Sequence, residues 1–179
     1  AKLGTPIKII PELPFNFVVK MDNTGAAFNF TFTDFKFDNN TVISTGGSTA
    51  TNYGVDVPNY QGGNTKRIYI RNNHFEGFSQ NPIIIGNGSR VDSLFIQGNN
   101  YYNNGSNTTL VFSGGDPVHY YNSSNTTAAP NLDGSYHPNT GSPLIDAGLN
   151  IGASFNGISP DIGFYETNYG ISVIVNGRN

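Results

Sequence analysis

Cysteine and tryptophan are absent from the 179-residue chain, and methionine occurs once. Without cysteine there is no disulfide, no thiolate ligand for zinc and no thiol nucleophile. Charged residues make up 12% of the chain, about half the usual share. Nine Lys and Arg stand against twelve Asp and Glu, a net charge of −3. So sparse a positive charge excludes nucleic acid as a partner and gives no attraction to an anionic membrane. No run approaches the ~18 apolar residues of a membrane-spanning helix, so no membrane insertion is expected. No stretch of ~11 residues carries a 3.6-residue apolar period, which argues against long amphipathic helices. Neither an initiator methionine nor the apolar stretch of a signal peptide opens the chain, so a mature form, a processed product or an excised fragment is expected. There is no phosphate-binding loop, no nucleophile elbow and no dinucleotide fingerprint.

What is abundant is asparagine, at 26 residues, with 22 glycines, 10 prolines, 13 phenylalanines and 10 tyrosines. Asn, Gly and Pro break helices, whereas Phe, Tyr, Val and Ile favour strands. Period-two alternation recurs: Phe28, Phe30 and Phe32 with polar residues between them, Phe35 and Phe37 around Lys36, Ile68 and Ile70 around Tyr69, and Ile171, Val173 and Val175 near the end. Polar, turn-rich stretches separate these segments, which predicts an all-β protein.

Three segments superimpose. Phe35-Lys36-Phe37-Asp38-Asn39-Asn40-Thr41-Val42 matches Ile68-Tyr69-Ile70-Arg71-Asn72-Asn73-His74-Phe75, and both match the stretch from Leu94 to Tyr102. Each is an alternating strand followed by an Asn pair, and a second short apolar strand follows in turn, at 53–57, 82–85 and 109–112. From Phe37 to Ile70 to Ile96 the offsets are 33 and 26 residues. Asn pairs alone would be expected by chance in so Asn-rich a chain; their shared flanking alternation is the signal. A unit of this length with several short strands predicts a solenoid in which neighbouring units bury one another's apolar positions. A β-sandwich or jelly roll is the competing architecture. In the stacked reading Phe37, Ile70 and Ile96 form an interior row. With Gly98 taken as an extra residue, Asn40, Asn73 and Asn100 form an amide row at a corner, where Asn tolerates left-handed backbone.

These residues resemble the right-handed parallel β-helix of the pectate-lyase-like superfold. The last third adds a more specific likeness. His137-Pro138-Asn139-Thr140-Gly141-Ser142-Pro143-Leu144-Ile145-Asp146-Ala147-Gly148, then Ser159-Pro160-Asp161-Ile162-Gly163-Phe164-Tyr165-Glu166, is similar to the closing segment of bacterial secreted and surface β-helix proteins. The resemblance implies an extracellular or cell-surface protein of about four to five coils. The chain then divides into residues 1–34 (an arm with a hairpin or capping coil), 35–128 (the coils) and 129–179 (the closing segment and a terminal strand). Residues 15–21 and 28–32 flank Asp22-Asn23-Thr24-Gly25 as a candidate hairpin. Open coil ends, or the apolar strand at 170–175, offer routes to self-association.

Outward side chains of stacked strands form rows, expected as Lys36, Tyr69, Phe95, then Asp38, Arg71, Gln97, then Thr41, His74, Tyr101. Lys36, Asp38, Tyr69, Arg71, His74, Glu76 and Tyr101 are therefore candidates for binding a polysaccharide or other glycan. Aromatic rings stack on sugar C–H faces, while Arg and amides bind hydroxyls and carboxylates. The resemblance to β-helix polysaccharide lyases casts Lys36, Arg71 or His74 as the base that removes the proton α to a uronate, with Ca²⁺ as an aid in that case alone. The plainer reading makes Asp38 and Arg71 a cross-strand ion pair and His74 a turn residue. No other cofactor is expected and no metal site: Asp146 and Asp161 precede small residues and read as turn-fixing carboxylates, the histidines are scattered, and Glu166 and Asp133 show no partner by spacing. Seven Asn-X-Ser/Thr acceptors, at Asn29, Asn39, Asn87, Asn104, Asn107, Asn122 and Asn125, are glycosylation candidates. A non-catalytic surface or assembly module is the leading expectation. The alternatives are the C-terminal part of a polysaccharide lyase or glycoside hydrolase, and a glycan binder that does not assemble.

Overall fold

Alternating apolar and polar residues become short strands throughout a computed structural model of the chain, which describes residues 34–44, 53–57, 65–86, 88–107 and 115–168. The strands are β1 (Asp34–Asp38), β2 (Thr41–Ile43), β3 (Val55–Val57), β4 (Thr65–Arg71), β5 (His74–Glu76), β6 (Ile83–Ile85), β7 (Val91–Gln97), β8 (Asn100–Tyr102) and β9 (His119–Ser123). Among the described residues the one helical element is a 3₁₀ turn at Gly88–Arg90. The protein is all-β and its sheets are parallel. The first sheet has the order β1-β4-β7-β9, the second β2-β5-β8 and the third β3-β6. The chain visits the three sheets in turn and then returns to the first. The apolar segments expected at 53–57 and 82–85 contain β3 and β6, paired in parallel. The segment at 109–112, the candidate hairpin at 15–32 and the terminal stretch at 170–175 lie outside the described residues.

In-register pairing puts like residues above like. Phe37, Ile70 and Ile96 align as expected, and so do Lys36, Tyr69 and Phe95. One buried cluster draws on all three sheets, including Val55, Ile68, Ile70, Phe75, Ile83, Ile85, Leu94 and Ile96. β9 adds a fourth repeat that the sequence reading missed. It pairs with β7 at the same 26-residue offset, Tyr120 beside Leu94 and Asn122 beside Ile96. Polar residues at interior positions hid it.

The corner between the first and second sheets corrects the expected amide row. Asn39, Asn72, Gly98 and Ser124 all have positive φ, between 54° and 65°. Gly98 is therefore no insertion. It fills the left-handed position that Asn39 and Asn72 fill, where residues with a full Cβ are disfavoured. The amide row is consequently Asn40, Asn73, Asn99, Asn125. The backbone N–H and Nδ2 of Asn40 donate to Asn73 Oδ1, both at 2.9 Å. Asn73 repeats this with Asn99 at 2.9 Å, and Asn99 with Asn125 at 2.9 and 3.1 Å. In the last three, Nδ2 also reaches back to a carbonyl of the preceding repeat, Asn73 to Phe37, Asn99 to Ile70 and Asn125 to Ile96, whereas that of Asn40 donates to Asp38 O of its own repeat. Asn100 stands in the next row, beside His74, and Tyr101 beside Phe75.

Residues 129–168 hold an isolated bridge, Leu132 to Pro138, and fold by backbone hydrogen bonds, among them Ser142 to Asn139 O and Gly148 to Pro160 O, together with side-chain caps. Asp146 and Asp161 bind backbone amides, as expected of them: Asp146 Oδ1 accepts from Ile158 and Ser159, and Asp161 accepts from Asp146 and Thr167. Glu166 and Asp133, without recognisable partners in the sequence, have them here. Glu166 accepts from the amides of Asp161 and Asn156, and Asp133 from those of Ser135 and His137. Those two amides hold the Asp133 carboxyl below its ordinary value. The segment is fastened to the strands through Asn72, whose side chain exchanges bonds with the backbone N–H and C=O of Leu149, both at 2.8 Å. Asn72 O accepts from Gly163, and Thr41 Oγ1 accepts from the N–H of Phe164.

Candidate functional site

The outer side of the first sheet carries the candidates that register keeps together. Along β1 and β4, Asp34 faces Arg67, Lys36 faces Tyr69, and Asp38 faces Arg71. The 33-residue offset thus sets carboxylates opposite guanidiniums one strand spacing apart, and both pairs close bidentately. Arg67 bonds Asp34 at 2.5 and 2.9 Å, and Arg71 bonds Asp38 at 3.0 and 2.6 Å. The Arg67 hydrogen bond holds the exposed Asp34 carboxyl below its ordinary value, and Asp34 in turn raises the arginine. The pairing of Asp38 with Arg71 is the cross-strand ion pair of the plainer reading. Lys36 is exposed between the two pairs. With Asp34, Arg67, Tyr69, Arg71 and Ile151 it lines a shallow depression.

The aromatic row continues from Tyr69 through Phe95 to Tyr121. The rings lie nearly parallel, with centroids 4.7 and 4.6 Å apart, one strand spacing. The Arg71 guanidinium sits over the Tyr69 ring at 4.7 Å. Faces of adjacent rings cover one another along the row, and Tyr121 at its end is 46% exposed.

Three further candidates, His74, Glu76 and Tyr101, do not belong to this surface. His74 projects from the second sheet and is fully buried, because Gly163 of the closing segment passes over it and Thr41. Its Nδ1 lies 2.9 Å from Asn100 Oδ1, whose Nδ2 donates to Ala128 O, and its Nε2 lies 3.0 Å from Glu76. A base enclosed in this way does not meet a polysaccharide. Tyr101 is 2% exposed and points into the core, stacked on Phe75. It was expected beside Thr41 and His74 because Gly98 had been counted as an insertion. Glu76 is half-buried against His74.

Burial pushes the His74 imidazole below its ordinary value of 6.5, against the opposing pull of Glu76 and Asn100. The folded protein therefore prefers the neutral ring, while the unfolded chain takes up a proton near pH 6.5. Stability from this residue is complete above that pH and is eroded as pH falls through it, by at most ~1.4 kcal/mol per pH unit. Urea unfolding of the wild type and His74→Gln between about pH 7 and pH 5 is expected to show a shallower acid branch in the variant. Parallel branches would assign the acid sensitivity to other groups.

The glycosylation candidates separate by what their amides do. Asn104 Nδ2 is bonded to Phe75 O, and Asn125 Nδ2 to Ile96 O and Asn122 Oδ1, so both nitrogens are committed to the fold. Asn39 forms the left-handed corner with its Oδ1 buried. Asn122 is exposed and Asn107 half-buried, while Asn29 and Asn87 lie outside the described residues. Among the described residues, no group of three His, Asp or Glu side chains converges as a metal site requires, and no helix is long and apolar enough to cross a membrane. The sequence reading also missed Arg67 and Asp34; the signal was present in their 33-residue spacing, which repeats that of Asp38 and Arg71. Comparison of the chain with protein-family models, with curated proteins and with solved structures finds no match.

Proposed function

We propose that the three parallel sheets are the faces of a short right-handed parallel β-helix, and that the chain is a non-catalytic module of an extracellular surface that binds glycan along its first sheet. The sheet order, the in-register pairing and the amide row at one corner support the architecture, and parallel crossovers are right-handed in nearly all proteins. The observation that carries the function is the depression around Lys36. An exposed ammonium stands there between two Asp–Arg pairs already locked into planar, bidentate geometry. Such groups bind sugar hydroxyls and carboxylates with little further ordering. Asp34, Asp38, Lys36, Arg67 and Arg71 sum to +1, which favours an acidic glycan over a neutral one. The pairing of Arg71 with Asp38 and the enclosure of His74 leave Lys36 as the one exposed residue of the three cast as a lyase base, which supports the non-catalytic reading.

Titration calorimetry with uronate-containing oligosaccharides tests this reading. Binding is expected to weaken about 3- to 10-fold in Lys36→Ala, the worth of one exposed charged contact, and to weaken with added salt. The oligosaccharide is expected to be recovered intact. Release of unsaturated uronides, lost in Lys36→Ala, would overturn the non-catalytic reading and make Lys36 the base of a lyase.

A further inference from the structure

Two Asn-Gly pairs fall among the described residues, and the fold treats them in opposite ways. Asn104 and Gly105 are tied down. Asn104 Oδ1 accepts from the N–H of Phe78, its Nδ2 donates to Phe75 O, and the N–H of Gly105 donates to Phe78 O at 2.7 Å. Asn156 and Gly157 are both exposed. Among the described residues neither the Asn156 side-chain amide nor the Gly157 N–H has a hydrogen-bond partner; the Asn156 backbone N–H is held, by Glu166 Oε2 at 3.4 Å. The fold imposes the glycine. Gly157 has a φ of 87°, and a Cβ there would collide with Asp146 Oδ1.

Asparagine is a thermolabile residue, and a following glycine makes it more so, because no side chain shields the attacking nitrogen. In the ring-closing step the Gly157 nitrogen gives up its proton and attacks Asn156 Cγ. A bond forms between the two atoms, and Nδ2 leaves as ammonia with a proton in place of the one given up. A cyclic succinimide remains. Water then adds to either ring carbonyl. Breaking the new C–N bond yields aspartate at 156. Breaking the original peptide bond yields isoaspartate, in which the main chain runs through the former side-chain carbonyl and is one methylene longer. The co-reactant is water, and no oxidant or reductant is consumed.

We infer that Asn156–Gly157 is a site of spontaneous modification, and that its conversion loosens the closing segment. The loop around it is built on carboxylates. Asp146 Oδ1 accepts from Ile158 and Ser159, directly after Gly157, and Glu166 accepts from Asn156 and Asp161. A carboxylate created at 156 adds a like charge beside Glu166 and Asp146. Isoaspartate also lengthens the main chain between the amide that caps Glu166 and those that cap Asp146, so the two caps no longer fit together. The same stretch continues to Ile162 and Gly163, whose amides bond Leu144 O and Asn72 O, both at 2.8 Å. Loss of the caps therefore reaches the place where the closing segment is fastened to the strands.

Incubation of the full chain in mildly alkaline buffer, then digestion and mass spectrometry that separates aspartate from isoaspartate, tests the site. In the folded protein Asn156 is expected to convert at least about tenfold faster than Asn104, which must first release its hydrogen bonds. In urea the two should convert alike. An Asn156 that stays intact when folded yet converts in urea overturns the proposal, and so does folded Asn104 converting as fast as Asn156. Hydrogen exchange reads the consequence. After conversion the amides of Ile158 and Ser159 are expected to exchange at least about tenfold faster, and the urea midpoint to fall. Asn156→Gln is the control, since its longer side chain closes a ring far more slowly; incubated alike, it should keep both. Converted protein that exchanges and unfolds like the incubated Asn156→Gln variant would overturn the loosening.

Discussion

Asn73→Asp is expected to cost about 3–5 kcal/mol of folding stability near neutral pH, although it exchanges one nitrogen for an oxygen. Asn73 is fully buried. Its Oδ1 already accepts two bonds from Asn40, and an aspartate keeps those. The loss falls on Nδ2, which donates to Phe37 O at 2.7 Å and to Asn99 Oδ1 at 2.9 Å. In the variant a charged oxygen faces two acceptors with no water to separate them. The carboxyl has one escape, to take up a proton and donate again. Its folded value is then raised above the unfolded one, so the stability it contributes returns as pH falls toward the ordinary carboxylate range. Urea unfolding at about pH 7 and about pH 5 should show the gap between variant and wild type narrowing in acid. Asn122→Asp on the exposed edge strand is the control and should change little. A pH-independent gap would mean that water or backbone movement satisfies the new oxygen, and that the amide row is not dry.

That row shows how much of the fold was legible. The repeats could be read because alternation at period two survives substitution: Phe37, Ile70 and Ile96 differ in shape but share one side of the strand. The spacing of Asp38 and Arg71 likewise predicted a contact that exists. The corner was misread because equivalence there is conformational, not chemical. Gly98 does what Asn39 and Asn72 do at φ near 60°, and a reader matching letters pairs the Asn at 100 instead of the one at 99. That slip of one residue moved Tyr101 from the core to the surface, since strand side chains alternate. The glycosylation motifs at Asn39 and Asn125 have a related origin. A corner Asn followed by a Thr near the second sheet yields Asn-X-Thr as a by-product of the repeat. The burial of His74 was illegible for a different reason: it depends on Gly163, 89 positions away, and no local pattern encodes that crossing.

Phe75→Ala should be the costliest truncation in the core, about 3–5 kcal/mol, because the ring is gripped from several sides. Phe37 and Tyr101 stack on it at 6.2 and 5.8 Å, one from each neighbouring repeat, and Phe78 meets it edge-on at 6.5 Å. Gly54, where the chain enters the third sheet, lies directly against it. A Cβ on Gly54 would stand 2.8 Å from Phe75 Cδ1 and 3.0 Å from Cε1, closer than carbon atoms pack. Gly54→Ala alone is therefore expected to destabilise by about 1–3 kcal/mol through overpacking, with the core shifting to admit one methyl. In the Phe75→Ala background the same methyl enters the space the ring has left, and its cost should vanish or change sign. The double-mutant cycle is thus expected to give a coupling of about 1–3 kcal/mol, with the double variant more stable than the sum of the singles. Denaturant midpoints and slopes for the four proteins measure it. Strict additivity would place the Gly54 backbone away from the ring. It would also mean that the third sheet does not close on the core through Phe75.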